Sequence, residues 1–86
     1  MQPVQELLSR IRWDKEYGDA DFRLAYYDRI EEQLIRVPFR ELYFDEEDHF
    51  GFQVIDDQGV THNIPYHRVK EIYRNGELIW QRTQVV

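Results

Sequence analysis

His67 and Arg68 stand side by side, directly after Pro65-Tyr66 and ahead of an Asn75-Gly76 turn. A guanidinium offers a planar fork that holds two phosphate oxygens at once, and an imidazole donates or shuttles a proton. Other cationic and aromatic residues fall at the ends of elements. Arg29 closes Tyr26-Tyr27-Asp28-Arg29, Trp80 and Arg82 lie near the end of the last hairpin, and Arg12, Trp13 and Lys15 follow the first helix. Because a Tyr or Trp face stacks a nucleobase, the set is a chemical kit for a nucleotide end. Each member also has a plainer reading: Asp28-Arg29 as an ion pair, Trp13 and Trp80 as core, Tyr26-Tyr27 as alternating residues of a strand.

Other chemistries find less support. Ser9 is the sole serine and sits on a predicted helix without flanking elbow glycines, so a serine triad has no basis. His49, His62 and His67 are not at metal-ligand spacing, and His62 and His67 are separated by Pro65; they read as structural or surface histidines. The Asp45-Glu46-Glu47-Asp48 run lacks the glycine and alternating ligands of a calcium loop and reads as a solvated loop. No cofactor, metal or catalytic residue is expected. There is no cysteine, hence no disulfide framework or thiolate zinc site, which fits a cytoplasmic location.

The chain has 86 residues, one domain spanning 1–86, and a chain this short buries only about 60 to 65% of its unfolded surface. Two Trp, six Tyr and five Phe supply the area that a small core needs. Apolar runs are far shorter than the roughly 20 residues of a membrane span, and the first residues do not resemble a signal peptide. A soluble, unexported protein with no membrane partner is expected. The net charge of −6 argues against broad adhesion to nucleic acid, yet it is unevenly spread. Residues 41–57 carry seven acids and no Lys or Arg, whereas residues 58–86 carry four bases against Glu71 and Glu77. A small anion site on one face is compatible with that split, as is an ordinary solvated surface.

The elements that must position these groups follow from periodicity. Residues 3–12 read as an amphipathic helix, with Pro3 at its first position and Val4, Leu7, Leu8 and Ile11 on one face. It stops near Trp13-Asp14, and Lys15 to Asp21 is a polar connector hinged at Gly18. Phe22 to Arg29 alternates as a strand, Gln33 to Val37 returns antiparallel, and Pro38 ends it. Pro38 to Leu42 forms a brief helical turn ahead of the acidic loop. Residues 51–65 read as a hairpin turning at Asp56-Asp57-Gln58-Gly59, and Asn75-Gly76 marks a type I′ turn between VKEIYR and ELIWQR. Val69 and Ile72 are three apart, so a bulge or helical turn is expected just after the His67-Arg68 pair. No internal repeat is visible. The fold class is α+β: an N-terminal helix on a curved antiparallel sheet or small open barrel of about five or six short strands.

At these residues the chain resembles the RNA cyclic-group end recognition domain family. The resemblance runs through Ile11-Arg12-Trp13-Asp14, Tyr27-Asp28-Arg29, Val37-Pro38-Phe39 and Ile64-Pro65-Tyr66-His67-Arg68-Val69, with Ile72, Gly76, Ile79, Trp80 and Arg82 completing the pattern. One departure is the turn after Asp28-Arg29, where the family commonly has glycine and this chain has Glu31-Glu32-Gln33. The resemblance implies recognition of an RNA 3′ end carrying a 2′,3′-cyclic phosphate or related group, in company with RNA-processing proteins. Residue by residue it implies that His67 and Arg68 meet the terminal phosphate, that Arg29 supplies a second cation, that Asp28 orients Arg29 or a ribose hydroxyl, and that Tyr27 or Trp13 stacks the last base.

An RNA-end binding module is therefore the leading expectation. A protein–protein adaptor, motivated by acidity and aromatic density, is the alternative. A phosphoesterase using His67 is the third reading, and it lacks a partner group at a legible spacing. Nothing in the sequence sets an oligomeric state.

Overall fold

A computed structural model of the protein describes residues 3–45, 47 and 50–82. Helix α1 spans Val4–Trp13 and buries Val4, Leu7, Leu8 and Ile11, the stripe expected from its period. Pro3 is the N-cap, one position before the expected one, with extended backbone angles that hand the chain into the helix. The predicted polar connector contains a second helix, α2, Lys15–Gly18. Asp14 explains it: the residue ends α1 and then caps α2, its carboxylate accepting from the Tyr17 amide at 3.2 Å.

The strands are β1 (Phe22–Asp28), β2 (Gln33–Pro38), β3 (Leu42–Tyr43), β4 (Gly51–Ile55), β5 (Thr61–Pro65), β6 (Val69–Arg74) and β7 (Glu77–Gln81). They form two open antiparallel sheets, ordered β2-β1-β6-β7 and β3-β4-β5. The fold is α+β as expected, with the strand number among the described residues raised to seven by the two-residue β3. Among the described residues, no helix is long and apolar enough to cross a membrane. The core joins the helix stripe to Phe22, Leu24 and Tyr26 of β1, Leu42, Phe52 and Val54, Ile64, Val69 and Ile72, and Trp80. Trp80 thus takes its core reading, while Trp13 is 66% exposed.

The chain passes between the sheets at two corners built alike. Val37-Pro38-Phe39-Arg40-Glu41-Leu42 leads from β2 through a 3₁₀ turn, Phe39–Glu41, into β3, and Ile64-Pro65-Tyr66-His67-Arg68-Val69 leads from β5 through a second 3₁₀ turn, Tyr66–Arg68, into β6. In both, proline holds an extended ψ (143° and 147°), the aromatic carbonyl accepts the amide three residues on, and the residue after the turn is buried. The correspondence extends backward to the hairpin turns. Asp28 and Asp56 each begin a turn, and the Oδ1 of each accepts backbone amides, from Ile30 and Glu31 in one case and from Gln58 and Val60 in the other. The chain therefore holds a structural repeat that was not expected from its sequence, where the shared signal is as short as Val37-Pro38-Phe39 against Ile64-Pro65-Tyr66.

The bulge expected just after the His67-Arg68 pair is present, whereas the 3₁₀ turn contains the pair and does not follow it. The 3₁₀ turn occupies Tyr66–Arg68, and the β1–β6 register skips Lys70, pairing Ala25 with Glu71 and Tyr26 with Val69. That bulge is what lets Val69 and Ile72 both face the core. The Asn75-Gly76 turn takes the left-handed pair of angles, φ 51° and 83°, that a type I′ hairpin requires.

Candidate functional site

A cleft of about 790 Å³ opens between the two hairpins, within the range of small-ligand sites, roughly 300 to 1,000 Å³. Besides the exposed Ile30 and Ile55, its apolar part consists of Tyr26, Ile35, Val37, Val54 and Ile64. These are the inward positions of β1, β2, β4 and β5, read two residues at a time. Where the hairpins run past the core, the same parity delivers polar groups instead: Asp28 follows Tyr26, Asp56 follows Val54, and His62 precedes Ile64. The two turns add charge, Arg29 and Glu31 from one and Asp57 from the other.

The corners complete the walls. Glu41 and Arg68 hold the same place in the two equivalent 3₁₀ turns, the third, and both line the cleft. A 3₁₀ turn has three residues per revolution, so neighbouring side chains leave it about 120° apart and only one of two consecutive residues can face inward. Arg68 takes that direction, and His67 is exposed and does not line the cleft.

Among the described residues, neither Arg29 nor Arg68 is held in an ion pair, although both stand among acidic side chains. The Nε of Arg68 is buried and has no hydrogen-bond partner among the described residues. No ion pair joins Asp28 to Arg29 among these residues; the Asp28 carboxylate is engaged with the amides of its own turn, at 2.8 Å to Ile30 and 3.2 Å to Glu31. Of the six expected site residues, Asp28, Arg29 and Arg68 thus share one cleft, whereas Trp13, Tyr27 and His67 lie outside its lining. Tyr27 is on the exposed face of β1, and Trp13 carries the Arg12 guanidinium 5.0 Å from its ring centroid. Arg82, grouped with the strand-end cations, instead donates to two backbone carbonyls of the second corner, those of Val69 and Tyr66.

Two cleft residues escaped the sequence reading. His62 Nε2 meets Asp56 Oδ2 at 2.8 Å, and this hydrogen bond is the largest cause holding the Asp56 carboxyl below its ordinary range, helped by the Val60 and Gln58 amides. The signal for His62 was parity, since it lies two residues before the buried Ile64 on the same strand face. For Glu41 it was the repeat. Burial first, and then the charge of Asp28, pushes the Tyr26 phenol above its usual value. Among the described residues no group of His, Asp and Glu is arranged to hold a metal ion; His49 lies outside them.

A family model described as the MJ1316 RNA cyclic group end recognition domain matches residues 1–82. Comparison with curated proteins and with solved structures returns no significant match.

Proposed function

The chain belongs to the MJ1316 RNA cyclic group end recognition domain family, and from that membership we propose that it is an RNA-binding module for the terminal phosphate of an RNA 3′ end. The end group is a 2′,3′-cyclic phosphate or a close relative, and the module serves RNA processing or repair alongside partner proteins. What supports this reading is the pair Arg29 and Arg68, which come from separate segments, line one cleft and are free of ion pairs among the described residues. A guanidinium without a carboxylate partner has its donor fork available to an oxyanion. Five carboxylates, those of Asp28, Glu31, Glu41, Asp56 and Asp57, share the lining. They oppose a long polyanion and leave room for an end that brings few charges, which reconciles phosphate recognition with a net charge of −6.

In this reading Arg68 and Arg29 take the terminal phosphate. Asp28 shapes the turn that presents Arg29. His67, exposed on the same 3₁₀ turn as Arg68, meets the chain leading out of the cleft, and Tyr27 or Trp13 stacks a base. The test is a short RNA titrated in two forms, ending in a cyclic phosphate or in hydroxyls. The cyclic form should shift the amide resonances of Tyr27 to Arg29 and of His67 to Val69, and Arg68→Ala should abolish the shift. Equal responses to both RNAs would defeat the proposal, and a stable protein partner captured irrespective of RNase and of Arg68→Ala would favour an adaptor instead.

A further inference from the structure

We propose that the Asp56–His62 pair is a proton-dependent third arm of the phosphate cleft: His62 in its charged form donates from Nδ1 to a ligand oxygen that Arg29 and Arg68 also hold. The inference deepens the RNA-end reading and rests on it.

The geometry begins with Asp56. Its Oδ1 is occupied by the amides of Gln58 and Val60, both at 2.9 Å, so the carboxylate cannot rotate without opening the turn that closes the β4–β5 hairpin. Only Oδ2 is left, and it takes His62 Nε2 at 2.8 Å. A fixed acceptor on one ring nitrogen dictates the other: Nε2 carries a hydrogen toward Asp56, and Nδ1 is the acceptor in the neutral ring and a donor in the cation. Among the described residues Nδ1 has no hydrogen-bond partner, and His62 lines the cleft.

Stability gives little reason for the arrangement. Both side chains are well exposed, 45% for His62 and 38% for Asp56, and ion pairs in such settings contribute little to folding. What the pair does accomplish is to aim one ring nitrogen. In the equivalent strand of the other half, the matching inward position beside the corner is Ile35, which also lines the cleft. The polar group is thus confined to one half.

The charged groups facing His62 decide the sign of the effect. Asp56 and Asp57 lie on its own hairpin, Asp28, Arg29 and Glu31 on the β1–β2 turn, Glu41 on the first 3₁₀ turn and Arg68 on the second. Carboxylates and guanidiniums keep their charge across the range of about pH 6 to 8, where an imidazole changes its own. A proton taken up by His62 therefore adds one positive charge to the cleft, and binding of an anion should strengthen with it.

Adenosine 2′,3′-cyclic phosphate is the probe, because a cyclic diester stays a monoanion throughout. Titrated calorimetrically into the full chain, it should bind roughly fivefold or more tightly at about pH 6 than at about pH 8, the size expected of one exposed charge-assisted hydrogen bond. His62→Gln should flatten the profile and bind at every pH as the wild type does near pH 8. Asp56→Asn keeps an acceptor for the turn but offers Nε2 a donor, so the neutral ring carries its hydrogen on Nδ1 and donates without taking up a proton; it should weaken the pH dependence. Thermal melts confirm that each variant folds. A pH dependence unchanged in His62→Gln, with Arg68→Ala still abolishing binding, overturns this inference and leaves the RNA-end reading standing. Absence of wild-type binding to both the nucleotide and the cyclic-phosphate RNA overturns both.

Discussion

Arg82 donates its Nε–H to the carbonyl of Val69 at 3.0 Å. Its Nη2 reaches the Tyr66 carbonyl at 3.2 Å, and its own amide bonds the carbonyl of the bulged Lys70 at 2.8 Å. One side chain from the end of β7 therefore clasps both ends of the 3₁₀ turn that carries His67 and Arg68. Arg82 does not line the cleft. Its influence on a ligand runs through the backbone on which Arg68 is mounted.

Arg82→Ala should accordingly lower both stability and affinity. Hydrogen bonds from a charged donor to part-buried carbonyls are worth roughly 1.5 to 3 kcal/mol each, and partial solvent access brings the expected loss for the pair to about 2 kcal/mol in urea denaturation. Affinity for a cyclic phosphate should fall with it, even at temperatures where the variant remains folded. Arg82→Lys replaces a planar fork by a single ammonium and should recover less than half of the stability. Full stability in Arg82→Ala would show that the corner holds itself.

Glu41 and Arg68 occupy equivalent places in the two corners and line one cleft with opposite charges. A carboxylate there opposes an anion that Arg68 attracts. In a wet cleft, with screening, the repulsion is a fraction of a kcal/mol. Glu41→Gln should therefore strengthen binding of a cyclic phosphate by about threefold at low salt, and the gain should shrink as salt rises. A loss of affinity would instead assign Glu41 to accepting a hydrogen bond from the ligand.

The parts of the fold legible in the sequence were those written in local code. Four apolar residues at helical spacing gave α1, Asn75-Gly76 gave the last hairpin, and the three-residue gap from Val69 to Ile72 gave the irregular corner. What stayed hidden either lacks a periodic signal or depends on pairing across the chain. Helix α2 has no apolar period and exists because Asp14 caps it. His67-Arg68 was legible as a pair, but only the 3₁₀ geometry separates the residue lining the cleft from the one facing solvent. His62 was set aside as a surface histidine, since its parity with Ile64 gains meaning only when a second hairpin stands opposite.

Alkaline stability should report Tyr26. Its phenol is pushed up by burial and by Asp28, so the folded state retains a proton that the unfolded state gives up near pH 10. A group raised in the folded state contributes stability that is complete below the unfolded value and is lost as pH rises through the folded one. Chemical denaturation should therefore show stability falling above about pH 10. Tyr26→Phe should reduce that slope, leave neutral-pH stability changed by less than about 1 kcal/mol, and keep the ring contact with Phe52, now 6.4 Å between centroids. An identical slope in the variant would move the effect to another tyrosine.

Glu32 sits in the left-handed region, φ 54°, within the turn that follows Asp28-Arg29. A side chain in that conformation costs roughly 1 to 2 kcal/mol, because Cβ crowds the following carbonyl. Glycine removes the crowding but gives the unfolded chain more freedom, which returns roughly 0.5 to 1 kcal/mol. Glu32→Gly should thus stabilise by about 0.5 kcal/mol in equilibrium urea unfolding. Charge is the competing explanation, since Glu31, Glu32 and Asp28 crowd one turn in a chain of net charge −6. Glu32→Ala separates the two, for it removes the charge and keeps Cβ. If alanine stabilises as much as glycine, repulsion and not backbone strain is what this turn tolerates; if only glycine does, the turn pays its cost in φ.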